Sequence, residues 1–170
     1  MTTKELNDTL REQGRFLGMC DEFYDEKWNY SLEQLVERMF KGIDFCLKHH
    51  WPSNEFIAKN FPKDFLREHG VFLDDEYSTC NVRESLVLGN SKVKFRYSGK
   101  YYGNIRVRDL SLADITARGD GLVIVHLFER ACVNVHQSEK AKVAVIKHSP
   151  NTLVSVSEGV RVLEEYDYLT

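Results

Sequence analysis

Between Leu32 and Leu47 the apolar residues Leu32, Leu35, Val36, Met39, Ile43 and Leu47 recur at steps of three and four. That spacing draws one stripe along a helix. Ser31 and Gln34 precede it as a capping box, the hydroxyl and the amide each satisfying an unpaired backbone N–H. The predicted helix runs from Ser31 to His50, and Trp51 ends it because the residue before Pro52 avoids helical geometry. Thr3 to Gly14 is polar and helix-permissive, with Gly14 as its stop. Ser53 caps a short helix over Asn54 to Asn60. Pro62 opens another through Phe65 and Leu66 that closes at Gly70. Asp74-Asp75-Glu76 is a polar break, so the reading divides the chain into a helical cap region, 1–76, and a second region, 77–170.

From residue 91 the period changes to two. Five-residue windows recur with a small residue first and apolar residues at the third and fifth places. They begin at Ser91, Gly103, Ala113, Gly121, Ala131, Ala141 and Thr152, at steps of 12, 10, 8, 10, 10 and 11 residues. Period two marks a strand with one buried face. A small residue at one fixed place suits a corner where equivalent residues stack, as in a β-solenoid, whose coils share one core. The predicted class is therefore α+β: a helical N-terminal region followed by a short β-helix or β-roll. The alternative is an antiparallel meander, in which Asp120-Gly121 forms a hairpin turn.

If alternate windows stack, one outer face carries Asn104, Arg106 and Arg108, then Leu122, Ile124 and His126, then Lys142, Ala144 and Ile146. Its middle is apolar, and Phe128 extends it. Leu122, Ile124, His126, Phe128 and Ile146 form a candidate interaction face, since an apolar outer face must be covered or must bind something. The register fails if a strand slips by one residue.

Composition sets only loose bounds. The chain has 170 residues, 42% hydrophobic and 29% charged, with a net charge of -3, values of an ordinary globular protein rather than a disordered chain or a membrane bundle. The charge is uneven: residues 1–80 hold 10 Lys+Arg against 16 Asp+Glu, residues 81–170 hold 13 against 10. Cys20, Cys46, Cys80 and Cys132 show no CxxC spacing, which argues against a zinc knuckle or a redox motif. No leader-like segment opens the sequence, so a cytoplasmic protein with reduced thiols is expected.

Candidate chemistry is sparse. Lys92, Lys94 and Arg96 alternate outward on one window, Arg106 and Arg108 on another, and Tyr97, Tyr101 and Tyr102 lie between. Cations interleaved with aromatics hold phosphates and stack bases, so these eight residues form the candidate ligand-binding set, for nucleic acid or an acidic glycan. His126 and His136 should point to opposite sides, which separates them as metal ligands. His49-His50 suits a helix C-terminus. The acids Asp109, Asp114, Asp120, Glu129 and Glu139 are too scattered for the paired carboxylates of a glycan-cleaving β-helix enzyme. Neither a GxSxG elbow nor a phosphate-cradling GxxxxGK[ST] loop occurs. No residue is assigned a catalytic role, and no cofactor or metal is expected.

Lys41 to Leu47, Trp51-Pro52-Ser53-Asn54, Val123 to Phe128 and Ile146 to Ser149 resemble a set of small proteins of gut anaerobes and their phages or mobile elements. The resemblance covers the chain from about Cys20 to Leu169 and carries no established activity. It implies this architecture and a phage-associated or mobile-element setting. The expectation is a non-enzymatic interaction or structural module, with a protein partner or self-association and no membrane. The alternative is a binder of an anionic ligand.

Overall fold

The computed structural model describes residues 1–21, 23, 24 and 28–169. The chain divides into two compact units, one holding Met1–Phe65 and Leu169, the other Leu66–Tyr168.

The first unit is helical. Helix α1 (Thr3–Phe16) starts on a capping box of Thr2 and Glu5, α2 (Leu32–Lys41) on the expected box of Ser31 and Gln34, and α4 (Asn54–Asn60) on the Ser53 hydroxyl. The expected single helix from Ser31 to His50 is two helices, α2 and α3 (Ile43–His49), broken at Gly42. Gly42 leaves the helical range there, with φ -103° and ψ 30°, and glycine is a poor helix former. A Cβ at Gly42 would also lie 3.3 Å from the Phe23 ring. The stripe survives the break, since Leu35, Val36, Ile43 and Leu47 are all buried. Gly14 does not stop α1. It lies buried inside the helix, where an added Cβ would strike the Met19 side chain. Helix α5 (Lys63–Glu68) spans the division between the units.

The second unit is a parallel β-solenoid, as the alternation predicts. One sheet has the order β1 (Val71–Leu73), β3 (Glu84–Leu88), β5 (Lys100–Val107), β7 (Asp120–Leu127), β9 (Lys142–Lys147), β11 (Arg161–Glu164). The other comprises β2 (Glu76–Cys80), β4 (Lys92–Tyr97), β6 (Leu112–Ala117), β8 (Cys132–Gln137) and β10 (Leu153–Val156). Every strand pairing is parallel, which excludes the meander. In the central coils Lys92 pairs with Leu112 and Leu112 with Cys132, while Asn104 pairs with Ile124 and Ile124 with Ala144, a coil of twenty residues. Like side chains therefore stack inside: Ile105 on Val125 on Val145, and Phe95 on Ile115 on Val135.

Small residues line one corner. Ser91, Ser111, Ala131 and Thr152 are buried there. The Ser111 hydroxyl accepts from the Ser91 N–H at 3.1 Å, and the Ser91 hydroxyl accepts from the Asp75 N–H at 3.0 Å. These hydroxyls satisfy backbone groups that no strand reaches, which a buried corner requires.

Two windows of the sequence reading are displaced. The expected stacking of Asn104 on Leu122 and Arg106 on Ile124 is corrected by two residues: Asn104 pairs with Ile124 and Arg106 with His126. The cause is Gly103, which aligns with Val123 rather than Gly121. It is small because the Tyr97 ring fills its space: an added Cβ would lie 2.7 Å from the Tyr97 Cζ. Ala113 is likewise two residues past the true corner residue, Ser111. A slip of two keeps each side chain within the strands on its face, so Asn104 and Arg106 still point outward. Arg108, expected on the same face, lies past the end of β5 and is buried.

Candidate functional site

The five-stranded sheet turns a polar face outward. On β4 alternate residues point away from the core, placing Lys92, Lys94 and Arg96 in one exposed row, about 6.6 Å from one side chain to the next. Their neighbours follow from register: Glu76 and Leu112 beside Lys92, Ser78 and Asp114 beside Lys94, Cys80 and Thr116 beside Arg96. Among the described residues none of the three cations forms an ion pair. Arg118 continues the same outward parity beyond β6 and is also exposed, its N–H donating to the Tyr97 carbonyl at 3.0 Å.

The remaining candidate ligand residues lie elsewhere. Arg106 projects from β5, in the opposite sheet, and pairs with Glu84 at 2.8 Å. Arg108 is buried at the following corner and meets Asp109 at 3.2 Å. Tyr97 points inward and is fully buried, its hydroxyl donating to the Val82 carbonyl at 2.8 Å. Burial pushes that phenol well above the ordinary tyrosine range, with the Glu84 charge and Tyr101 adding to the effect. Tyr101 is half-buried beside Tyr97, and Tyr102 is exposed on the outer face of β5. The eight residues therefore do not form one surface. The solenoid keeps the Lys92–Lys94–Arg96 row together and separates it from Arg106 and Tyr102.

The candidate interaction face lies on the six-stranded sheet. Leu122, Ile124 and His126 on β7 stand beside Lys142, Ala144 and Ile146 on β9, in the expected register. Leu122 is exposed, Ile124, His126 and Ile146 are half-buried, and Phe128 is buried at the corner beyond. The corner brings together a group that the sequence reading missed. His126 Nδ1 lies 2.9 Å from His148 Nε2, and His148 Nδ1 lies 2.9 Å from the Glu165 carbonyl. A carbonyl only accepts, so His148 carries its proton on Nδ1. With His148 neutral, Nε2 then accepts from His126 Nδ1–H. Phe128 stacks on the His148 ring at 4.6 Å, and Tyr168 approaches it at 4.3 Å. The available signal was the coil length, which puts His148 one coil of twenty beyond Phe128. His136 lies on β8, in the other sheet from His126, as expected.

In the helical unit, an open depression is lined by Phe16, Leu17, His49 and Trp51 among others, and Phe16 is 91% exposed. No disulfide joins the four cysteines. Among the described residues no helix is long and apolar enough to cross a membrane. No family model, curated protein or solved structure matches the chain.

Proposed function

We propose that the solenoid is a non-catalytic binding module and that its ligand is an anionic polymer, held along the row Lys92, Lys94 and Arg96. The observation that carries this reading is three exposed cations, none ion-paired among the described residues, in line on a strand fixed by parallel neighbours on both sides. A strand holds such a row at fixed spacing, so little ordering is needed on binding. Arg118 lengthens the row. Glu76 beside Lys92 and Asp114 beside Lys94 weaken the field at its start, so the Arg96 end grips hardest.

The row has no exposed aromatic among its members, because Tyr97 is turned into the core and Tyr102 belongs to the opposite sheet. The ligand is then recognised by charge rather than by stacked bases. Acidic glycans and nucleic acid share that chemistry, and heparin and a single-stranded oligonucleotide compete for the one row. A setting in phages or mobile elements, which the sequence resemblance implies, is compatible with either.

The test is affinity for a single-stranded DNA oligonucleotide and for heparin as salt is raised. The wild-type chain binds, and log affinity falls linearly with log salt. The Lys92→Gln/Lys94→Gln/Arg96→Gln variant loses affinity for both, and its salt slope for the oligonucleotide is shallower by about 2. Arg106→Gln changes neither. Absent binding, or a triple variant that binds as tightly as wild type, overturns the reading.

A further inference from the structure

The two ends of the solenoid differ. At the β1–β2 end, Phe72 is buried, Leu66 is buried, and the Arg67 guanidinium holds Asp75 through two hydrogen bonds of 2.8 Å. Arg67 also covers the Tyr77 ring at 4.8 Å. Among the described residues none covers the β10–β11 end in that way. Val162 continues the inward column of Val125 and Val145, yet it is 40% exposed where both of those are fully buried. Val156 continues the column of Ile115 and Val135 and is 37% exposed. The chain beyond β11 leaves this end: Tyr168 packs on His148 and Phe128 at the corner. Two strand edges and an apolar interior are left open to solvent, a template for further pairing.

The charges on the edge indicate what pairs there. Lys147 takes Glu164 at 3.1 Å, whereas Arg161 and Glu165 are exposed and form no ion pair among the described residues. When identical edges meet about a two-fold axis, β11 runs antiparallel to its copy. Centred on Leu163, that pairing sets Arg161 opposite Glu165 of the second copy, twice, on the outward side that Arg161 shares with Leu163. Centred on Val162, it would set Arg161 against Leu163 and satisfy neither charge.

We infer that the β10–β11 end binds a second copy of this chain, tail to tail, with β11 antiparallel to β11 about Leu163. At the opposite end Phe72 and Leu66 are buried and Arg67 holds Asp75, with Tyr77 39% exposed beneath Arg67. A contact between two like ends about a two-fold axis uses up both, so the assembly stops at a symmetric dimer and does not grow into a filament. The contact uses no residue of the Lys92–Lys94–Arg96 row, so it stands or falls apart from ligand binding.

Sedimentation velocity over a range of concentrations tests this, with circular dichroism confirming that each variant is folded. Wild type sediments as a species of twice the chain mass. Arg161→Glu sets like charges opposite each other twice and weakens the dimer roughly tenfold. The double swap Arg161→Glu/Glu165→Arg restores it, a recovery that a merely structural role for Arg161 would not give. Val162→Lys yields monomer. A wild-type chain that stays monomeric, a dimer indifferent to these variants, or species larger than a dimer that build up with concentration overturns the inference.

Discussion

At the scale of single residues, the core is set by exchanges of size, within one coil and between neighbouring coils. Tyr97 fills the space that Gly103 leaves, and a Cβ on Gly121 would strike the Tyr101 ring in the same way. Tyr97 also closes a polar account, since its hydroxyl is the donor for Val82 O. Its phenol is held protonated by burial. The folded-state pKa is raised above the unfolded one, so its contribution is complete below about pH 10 and is lost as pH climbs toward the folded value. Urea unfolding between pH 7 and 11 should show stability falling at the alkaline end. Tyr97→Phe should be less stable at neutral pH by about 1 kcal/mol, through the lost hydrogen bond, with a shallower alkaline fall. Burial raises Tyr101 as well, so some of the fall persists. An unchanged alkaline slope in Tyr97→Phe would show that the buried phenol is not its source.

At the scale of elements, legibility followed burial. Strands β4 to β8 have one wet face, and their alternation could be read directly from the residues. Strand β1 is buried at all three positions and β3 at four of five, so neither alternates and neither was legible as a strand. The corners were read only approximately, because Gly103 and Ala113 are small for reasons internal to the strands. The backbone marks the corners more faithfully. Gly89, Asp109 and Glu129 adopt positive φ at one corner of successive coils, and Gly99, Gly119, Glu139 and Gly159 at the other. Each series advances by twenty residues, and a left-handed conformation favours glycine. Glu139, with φ of 62°, is the exception in its series. Glu139→Gly should raise stability by about 1 kcal/mol, measured by thermal unfolding. A loss of stability would mean that the Glu139 side chain holds the corner.

At the scale of the molecule, two sheets facing opposite ways decide which residues act together. Residues close in sequence, such as Arg96 and Tyr102, are sent to opposite faces, while Ser78, Lys94, Asp114 and Asn134, spread over 57 positions, become neighbours on one face. The cation row was legible because it lies within a single strand. The pairing of His126 with His148 was not, because it needs the coil length and the corner geometry together. The proposed binding needs only the face that carries Lys92, Lys94 and Arg96, without β5, and amide chemical-shift mapping tests that most directly. Titrating a single-stranded oligonucleotide into the labelled protein should shift β4 and its neighbours Ser78, Asp114 and Thr116, leaving Tyr102, Asn104 and Arg106 unmoved. Shifts centred on β5, or none anywhere at low salt, would contradict the account.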